Sequence, residues 1–275
     1  MKKRSFLEGF AAVPHIVWSL LFIVAPLIFV IYFAFTDTYG NFTTDNISLL
    51  SSYAHIFVLS VCFALIATVI CLLIGYPLAF GISRLKPSTQ KLVILLLMLP
   101  MWVSLLIRTY SLMALLDNGG LLNSLLVKLG MEKVKIVGTS GAVILGMVYD
   151  FLPYMVLPIY TSVSKLSQRY FEAAGDLGCN GAQALFRVAI PLSVPGVISG
   201  ITMVFVPSIS TFYISQKLGG GSFDLIGDTI ERQFQNVSTY NIGAAISLVM
   251  MILILISVAI MNRFTDEEEG GELIV

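Results

Sequence analysis

Long apolar stretches alternate with short polar segments along the whole chain. Six stretches are long enough to cross a bilayer as helices, because a span needs about 20 mostly apolar residues. We predict these spans at residues 12–35, 56–82, 92–116, 141–162, 194–215 and 242–261. The first stretch follows Lys2, Lys3 and Arg4, but it is too long for a signal peptide and no small-residue cleavage site follows it, so we expect an uncleaved anchor.

The composition agrees with a membrane location. Hydrophobic residues make up 57% of the chain and charged residues only 12%, whereas soluble domains carry about 25% charged residues. Too few charges are present to cover so much apolar surface in water, and lipid removes that need. The sequence therefore predicts an all-α integral membrane protein in which residues 1–275 form a single transmembrane domain.

The positive charges indicate an orientation, since Lys and Arg are enriched in cytoplasmic loops. With the N-terminus inside, ten fall on the cytoplasmic side: Lys2, Lys3, Arg4, Arg84, Lys86, Lys91, Lys165, Arg169, Arg187 and Arg263. Five fall outside: Lys128, Lys133, Lys135, Lys217 and Arg232. We therefore expect both termini in the cytoplasm. In the outer segment 118–133, leucines at helical spacing predict a short amphipathic helix at the interface.

The chemistry that would mark an enzyme is missing from the sequence. There is no Gly-x-x-x-x-Gly-Lys-Ser/Thr loop, so we do not expect this chain to hydrolyse ATP. His15 and His55 are the only histidines, and no metal-ligand spacing or nucleophile–base pair is visible. We expect no metal, no cofactor bound by this chain and no nucleic-acid partner. A membrane-anchored enzyme is a minor alternative, and a secondary transporter would show inverted repeats, which we do not see.

The cytoplasmic segment 163–193 carries the most informative pattern. It predicts two short helices separated by residues 178–181, with Ser167 as the cap of the first. Pro191 and Pro195 are predicted to end the second helix and to restart the chain as the fifth span. Glu172 and Asp176 are four residues apart, so they share a helix face and are available to basic groups of a partner. Small residues that allow another protein to approach closely lie beside them: Ala173, Ala174 and Gly178.

The same segment resembles the EAA loop of binding-protein-dependent ABC permeases. The family pattern is Glu-Ala-Ala, three residues, Gly, nine residues, then Ile-x-Leu-Pro. The matching positions here are Glu172, Ala173, Ala174, Gly178, Val188, Ile190 and Pro191, with Val and Ile as conservative replacements. In that family the loop forms a coupling helix seated in a groove of a cytoplasmic ATPase, and the resemblance implies the same role here, with Asp176 on the coupling surface.

The resemblance also implies a fold, partners and a location. The fold is that of a type I ABC importer permease in a prokaryotic plasma (inner) membrane, surrounded by lipid. The partners are a second homologous permease, a dimer of ATP-binding subunits that hold ATP and Mg, and a periplasmic or extracellular solute-binding protein.

Further stretches resemble the PotB-type permeases of spermidine/putrescine importers. They are Leu106–Tyr110, Gly120–Asn123, Leu152–Tyr160 and Leu225–Asp228 with Gln233-Phe234. The resemblance implies polyamine import, and a related permease for another small solute is the alternative, because one scaffold serves many solutes.

Two charged residues lie in apolar spans, where each charge costs about 2.5–3.5 kcal/mol at mid-membrane and is usually paired or facing water. Arg108 and Asp150 lie at similar depth. One interpretation is an ion pair that fixes two helices, and the other places Asp150 in the solute path as an attractor for a polycation. Aromatic faces attract ammonium groups, so the candidates for lining the path include Trp102, Tyr110, Tyr149, Tyr154, Tyr160 and Tyr213.

Overall fold

The structure is a computed structural model that describes the backbone of residues 6–271 and the side chains of residues 13–263. The described α-helices are α1 (Phe6–Ser19), α2 (Ala25–Ala34), α3 (Asp45–Ser48), α4 (Ala54–Ser83), α5 (Pro87–Met98), α6 (Leu105–Leu116), α7 (Leu121–Lys128), α8 (Ser140–Ser164), α9 (Gln168–Asp176), α10 (Gly181–Ala184), α11 (Ile190–Leu192), α12 (Val194–Ser210), α13 (Tyr213–Leu218), α14 (Ile226–Gln235) and α15 (Tyr240–Gly271). Short π-helical turns join some of them, at Leu20–Val24 and Leu185–Ala189.

Four helical stretches are long and apolar enough to cross a membrane: Val13–Ala34, Asp45–Ser83, Ser140–Ser164 and Val237–Arg263. Two bent helix pairs raise the number to six if each pair is one span: Pro87–Trp102 with Leu105–Lys128, and Gly181–Leu192 with Val194–Ser210. The predicted all-α membrane fold is confirmed. The basic residues Lys2, Lys3 and Arg4, which contribute to the expected orientation, lie outside the described residues.

The predicted third span, residues 92–116, is broken in the structure. The helix tightens to a 3₁₀ turn at Leu99–Trp102, and Val103 and Ser104 then take extended backbone before α6 begins. The two halves meet at 94°. Pro100 accounts for the loss of regular α-helix at Leu99–Trp102, because proline lacks a donor N–H and its ring crowds the preceding turn. The predicted fifth span, residues 194–215, similarly covers α12, an extended Thr211 and the start of α13.

The described chain divides into two compact units. The first contains the chain through Ala54 together with Thr229–Leu253. In this unit Asn46 and Asn241 are buried, and both side-chain amides donate to the carbonyl of Thr36, just after α2 ends. Buried helix ends must be satisfied, and these amides supply the donors that water would provide at an exposed end.

The second unit contains His55–Asp228 and the chain from Ile254 onward. Its core is centred on α8, where Met147, Met155 and Ile159 are fully buried. Gly196 and Gly200 on α12 are four residues apart and lie against α8. A Cβ on Gly196 would lie 2.8 Å from the carbonyl oxygen of Pro158, and one on Gly200 would lie 3.1 Å from that of Met155, so glycine is needed for the close approach at Gly196. Such small-residue spacing lets helix backbones pack closely in membranes, where dispersion contacts replace the hydrophobic drive.

The short amphipathic helix predicted within residues 118–133 is confirmed as α7. A buried side chain on its polar positions organises the following loop. Asn123 Nδ2 donates to the carbonyls of Asp117 at 3.1 Å and Val134 at 3.0 Å, while its Oδ1 accepts from the Val134 N–H at 2.9 Å. The Asn123 side chain therefore joins Asp117, which precedes α7, to Val134 in the loop after it.

Candidate functional site

The segment with the EAA pattern forms the predicted pair of short helices. Ser167 Oγ accepts from the Arg169 N–H at 3.3 Å and caps α9. The helix ends in a Schellman motif, in which the Cys179 N–H bonds to the Ala174 carbonyl and Gly178 takes a φ of +81°. Helix α10 then begins with a reciprocal capping box between Asn180 and Gln183.

The exposed face of this segment combines acidic and apolar side chains. Glu172 and Asp176 are exposed, whereas Ala174 is buried beneath them. Leu177 is 86% exposed and Phe186 is 67% exposed. Apolar side chains this open, next to carboxylates, are typical of a surface that another protein covers.

The second half of the pattern is held more firmly. Val188 and Ile190 are half-buried and Pro191 is exposed. Beyond them, the buried Ser193 hydroxyl donates to the Ala189 carbonyl at 2.6 Å and lies 2.8 Å from the hydroxyl of Tyr76 on α4. A hydrogen-bond chain therefore joins the end of the segment to α4.

A second attachment to α4 involves Arg84. Its guanidinium carbon lies 3.7 Å from the ring centroid of Phe171 and 4.9 Å from that of Phe80, and its Nη1 donates to Gln168 Oε1 at 2.7 Å. Burial lowers the pKa of Arg84 from its ordinary value, but a guanidinium stays charged in proteins. Sequence analysis missed this contact. The available signal was an aromatic residue, Phe171, directly before Glu172.

The two charged residues of the spans form an ion pair between α6 and α8. Arg108 Nη1 lies 3.1 Å from Asp150 Oδ1, and the Thr109 hydroxyl donates to Asp150 Oδ2 at 3.3 Å. Asp150 is fully buried and Arg108 is 8% exposed. This geometry favours the helix-fixing interpretation of the pair. A role for either residue in the solute path stays a prediction.

The candidate aromatic residues do not form one continuous lining. Tyr110 and Tyr213 come together, with ring centroids 5.8 Å apart in a T-shaped arrangement. Trp102 and Tyr149 are exposed and form no ring contact with another described aromatic residue. Tyr154 lines a separate, open surface groove of about 570 Å³ between α8 and α12, whose walls also include Pro158, Thr161, Lys165, Gly196, Ser199 and Met203.

Tyr160, the remaining aromatic candidate, serves a structural contact. Its hydroxyl donates to Gln90 Oε1 at 2.9 Å, and Gln90 Nε2 in turn donates to the carbonyls of Ser83 and Leu85. The network links α8 to the turn between α4 and α5. Tyr160 therefore forms a partly buried hydrogen bond that holds these elements together in this conformation.

Comparison with known proteins identifies the scaffold. Residues 71–267 match the family described as binding-protein-dependent transport system inner membrane component. The spermidine/putrescine transport system permease protein PotB of Haemophilus influenzae is 37% identical over 256 residues, which cover 90% of each chain. PotB of Escherichia coli is 38% identical over 246 residues, covering 86% of this chain and 90% of the relative.

Solved structures show the same fold at lower identity. A bacterial ABC transporter involved in the import of the acidic polysaccharide alginate matches with a TM-score of 0.78 at 20% identity, covering 96% of both chains. The same kind of transporter in complex with a periplasmic protein bound to an alginate pentasaccharide matches with a TM-score of 0.76, again at 20% identity and 96% coverage. With a family match that spans most of its length, this chain belongs to the binding-protein-dependent transport system inner membrane components.

Proposed function

We propose that this chain is a permease subunit of an ATP-driven importer of polyamines such as spermidine and putrescine. The observation that carries the importer function is the exposed two-helix segment with the EAA pattern, built from α9, α10 and the turn at Leu185–Ala189. The solute is supported by the relatives named spermidine/putrescine permeases, which match about 90% of the chain at 37–38% identity.

The importer in this proposal contains further subunits. A second, homologous permease completes the solute path, and a dimer of ATP-binding subunits, which bind ATP and Mg, docks on the exposed segment. A periplasmic or extracellular binding protein delivers the solute. The bacterial relatives support a prokaryotic plasma membrane location. The excess of Lys and Arg on one side of the predicted spans supports an orientation with both termini in the cytoplasm.

Coupling in this scheme is mechanical. ATP binding closes the ATP-binding subunits, and the exposed carboxylates of Glu172 and Asp176 with the apolar Leu177 follow the surface on which they dock. The Arg84–Phe171 stack and the Tyr76–Ser193 hydrogen bond carry the displacement into α4. The spans then open outward to accept solute, and hydrolysis returns them to the inward-facing arrangement.

The test is ATP-dependent uptake of radiolabelled spermidine and putrescine into vesicles that contain the complete importer and its binding protein. We expect saturable uptake that stops without ATP. Uptake of a different solute, with no polyamine uptake by the same vesicles, would overturn the assignment of the solute. ATP-independent uptake would overturn the importer itself.

Glu172→Ala tests the coupling surface in the same vesicles. We expect assembly at normal levels but a loss of most uptake, because an exposed carboxylate contributes to docking rather than to folding. Glu132→Ala is the matched control, since it removes an exposed carboxylate from the segment after α7 and should leave uptake unchanged. Normal uptake by Glu172→Ala at normal expression would contradict the coupling role.

A further inference from the structure

One ammonium group of the chain rests on a pair of aromatic rings. Lys217 Nζ lies 5.2 Å from the ring centroid of Tyr110 and 5.6 Å from that of Tyr213. Tyr213 and Lys217 are four residues apart on α13, so they share a face, and Tyr110 approaches from α6. Tyr110 is 46% exposed and the other two side chains are half-buried, so other described residues of this chain do not enclose the cluster.

Electrostatics explains why the ammonium group lies there. The face of an aromatic ring is negative, and a cation within about 6 Å of its centroid is attracted. Among the residues that the structure describes, Lys217 forms no ion pair with a carboxylate. The two tyrosine side chains are therefore the partners of this cation. Such a site recognises the charge and the size of an ammonium group and needs no carboxylate.

The chemistry of the bound group is specific. A lysine side chain ends in a primary ammonium group on a four-carbon chain. The same aminobutyl unit makes up putrescine and one arm of spermidine, the solutes of the proposed importer. A site that accepts the end of Lys217 therefore has the size and polarity to accept the end of the solute.

We propose that Tyr110 and Tyr213 bind a primary ammonium group of the polyamine in transit, and that Lys217 occupies this site until the solute displaces it. The inference rests on the proposed function. Its physical consequence is weaker solute binding, because the apparent affinity is reduced in proportion to the fraction of time that Lys217 leaves the site free. Weak binding suits a path through which the solute must leave as well as enter.

Equilibrium binding of radiolabelled spermidine tests this on the complete importer, purified in detergent with ATP and vanadate and without the solute-binding protein. Lys217→Met removes the competing cation while keeping an apolar chain of similar length. We expect its dissociation constant to fall about two- to fivefold. Lys217→Arg is the matched control, because it keeps a cation, and its dissociation constant should stay within twofold of the original.

The ring pair provides a second arm of the test. Tyr110→Leu should raise the dissociation constant for spermidine about two- to fivefold. In that background Lys217→Met should have little further effect, because Lys217 and the solute no longer compete for the same aromatic site. Tyr110→Phe keeps the ring face but loses the hydroxyl beside Lys217, so it should weaken binding less than Tyr110→Leu. An equal effect of Lys217→Met in both backgrounds would overturn the proposal.

A measurement on the unmodified importer keeps the proposal testable if a variant does not assemble. Acylation of Lys217 by an amine-reactive reagent is measured by mass spectrometry relative to acylation of the exposed Lys133, because the amines of spermidine also consume the reagent. This ratio should increase when saturating spermidine displaces the Lys217 side chain. An unchanged or reduced ratio would overturn the displacement. If vesicles take up polyamines while the binding and acylation results are negative, only this inference fails; if they take up an uncharged solute instead, the proposed function fails with it.

Discussion

Asp150→Asn removes one charge from the ion pair between α6 and α8 and keeps the size of the side chain. In the structure Asp150 is fully buried, and its carboxylate lies 3.1 Å from Arg108 Nη1. The substitution leaves the guanidinium of Arg108 among apolar helices with no opposite charge. We expect this change to destabilise the chain strongly. Arg108→Gln should also be destabilising, because it leaves the buried carboxylate of Asp150 without its opposite charge.

The magnitude follows from the geometry. At 3.1 Å and an effective dielectric constant of about 20, the attraction between the two charges is about 5 kcal/mol. Transfer of each ion out of water costs several kcal/mol, so the pair as a whole contributes little net stability. Breaking a buried pair from one side typically costs about 3–5 kcal/mol. We expect about 3 kcal/mol for Asp150→Asn, because Thr109 can still hydrogen-bond the amide.

Removing both charges together should cost less than removing one. In Arg108→Met/Asp150→Leu no charge is left unpaired, and buried ion pairs replaced by apolar side chains are often neutral in stability. We expect the double variant to lie within about 1–2 kcal/mol of the original chain. The difference between single and double variants is the signature of a structural pair.

The assay is unfolding of the purified chain in mild detergent by titration with SDS, followed through helicity by circular dichroism. Asp117→Asn is the matched control, since it makes the same chemical change at an exposed position and should alter stability by less than about 0.5 kcal/mol. An Asp150→Asn chain as stable as the original, but unable to support polyamine uptake, would refute this reasoning and place the carboxylate in the solute path.

Two further substitutions probe contacts seen in the structure. Arg84→Ala should reduce uptake at least fivefold and abolish stimulation of ATP hydrolysis by the loaded binding protein. Arg84→Lys keeps the charge but loses the planar stack, so its uptake should be intermediate. Normal uptake with normal stimulation in Arg84→Ala would contradict a role of Arg84 in coupling. Gly196→Ala would bring a Cβ within 2.5 Å of Ser162 Cβ and 2.8 Å of the Pro158 carbonyl, so we expect a loss of about 1–3 kcal/mol in the same SDS assay. Gly81→Ala on α4 meets nothing within 4 Å and should be neutral or stabilising by up to about 1 kcal/mol, and an equal loss at both positions would argue against close packing of α8 and α12.

Local sequence predicts the EAA segment well because its structure depends on local interactions. Ser167, Gly178 and Asn180 act on backbone groups within five residues of themselves, and each is recognisable as a cap or a helix stop. The positive φ of Gly178 also bears on experiments. Gly178→Asp would strain the backbone as well as change the surface, so it cannot by itself separate folding from coupling.

Proline residues in the predicted spans do not by themselves predict where a helix bends. Pro100 precedes a 94° bend, yet Pro153 and Pro158 lie inside a continuous α8. The residue type is the same, and the outcome depends on whether neighbouring helices satisfy the freed carbonyls and hold the axis straight. That information lies in the packing of distant segments, so the sequence predicts weak points but not which of them bends.

Residue type predicts which side chains are able to bind a cation, but it does not predict which way those side chains face. Spans such as α4 are apolar on all sides, so periodicity cannot say which face lines a path. The pairing of Tyr110 with Tyr213 and Lys217 joins α6 to α13, about a hundred residues later in the chain. Only the tertiary fold brings these groups together, whereas Arg108 and Asp150 are recognisable from the sequence because charged residues are rare in lipid.

Two attachments hold the EAA segment to α4, and the proposed coupling scheme depends on them. Helices of fewer than about 12 residues are marginal in water, so α9 and α10 need support from their neighbours. The Arg84–Phe171 stack holds α9, and the Tyr76–Ser193 hydrogen bond holds the end of the segment. Arg84 directly follows α4 and Tyr76 lies within it, so a push on the segment reaches α4 at two points about two helical turns apart. Two such points resist rotation as well as translation, which favours α4 as the first span to move when a partner displaces the segment.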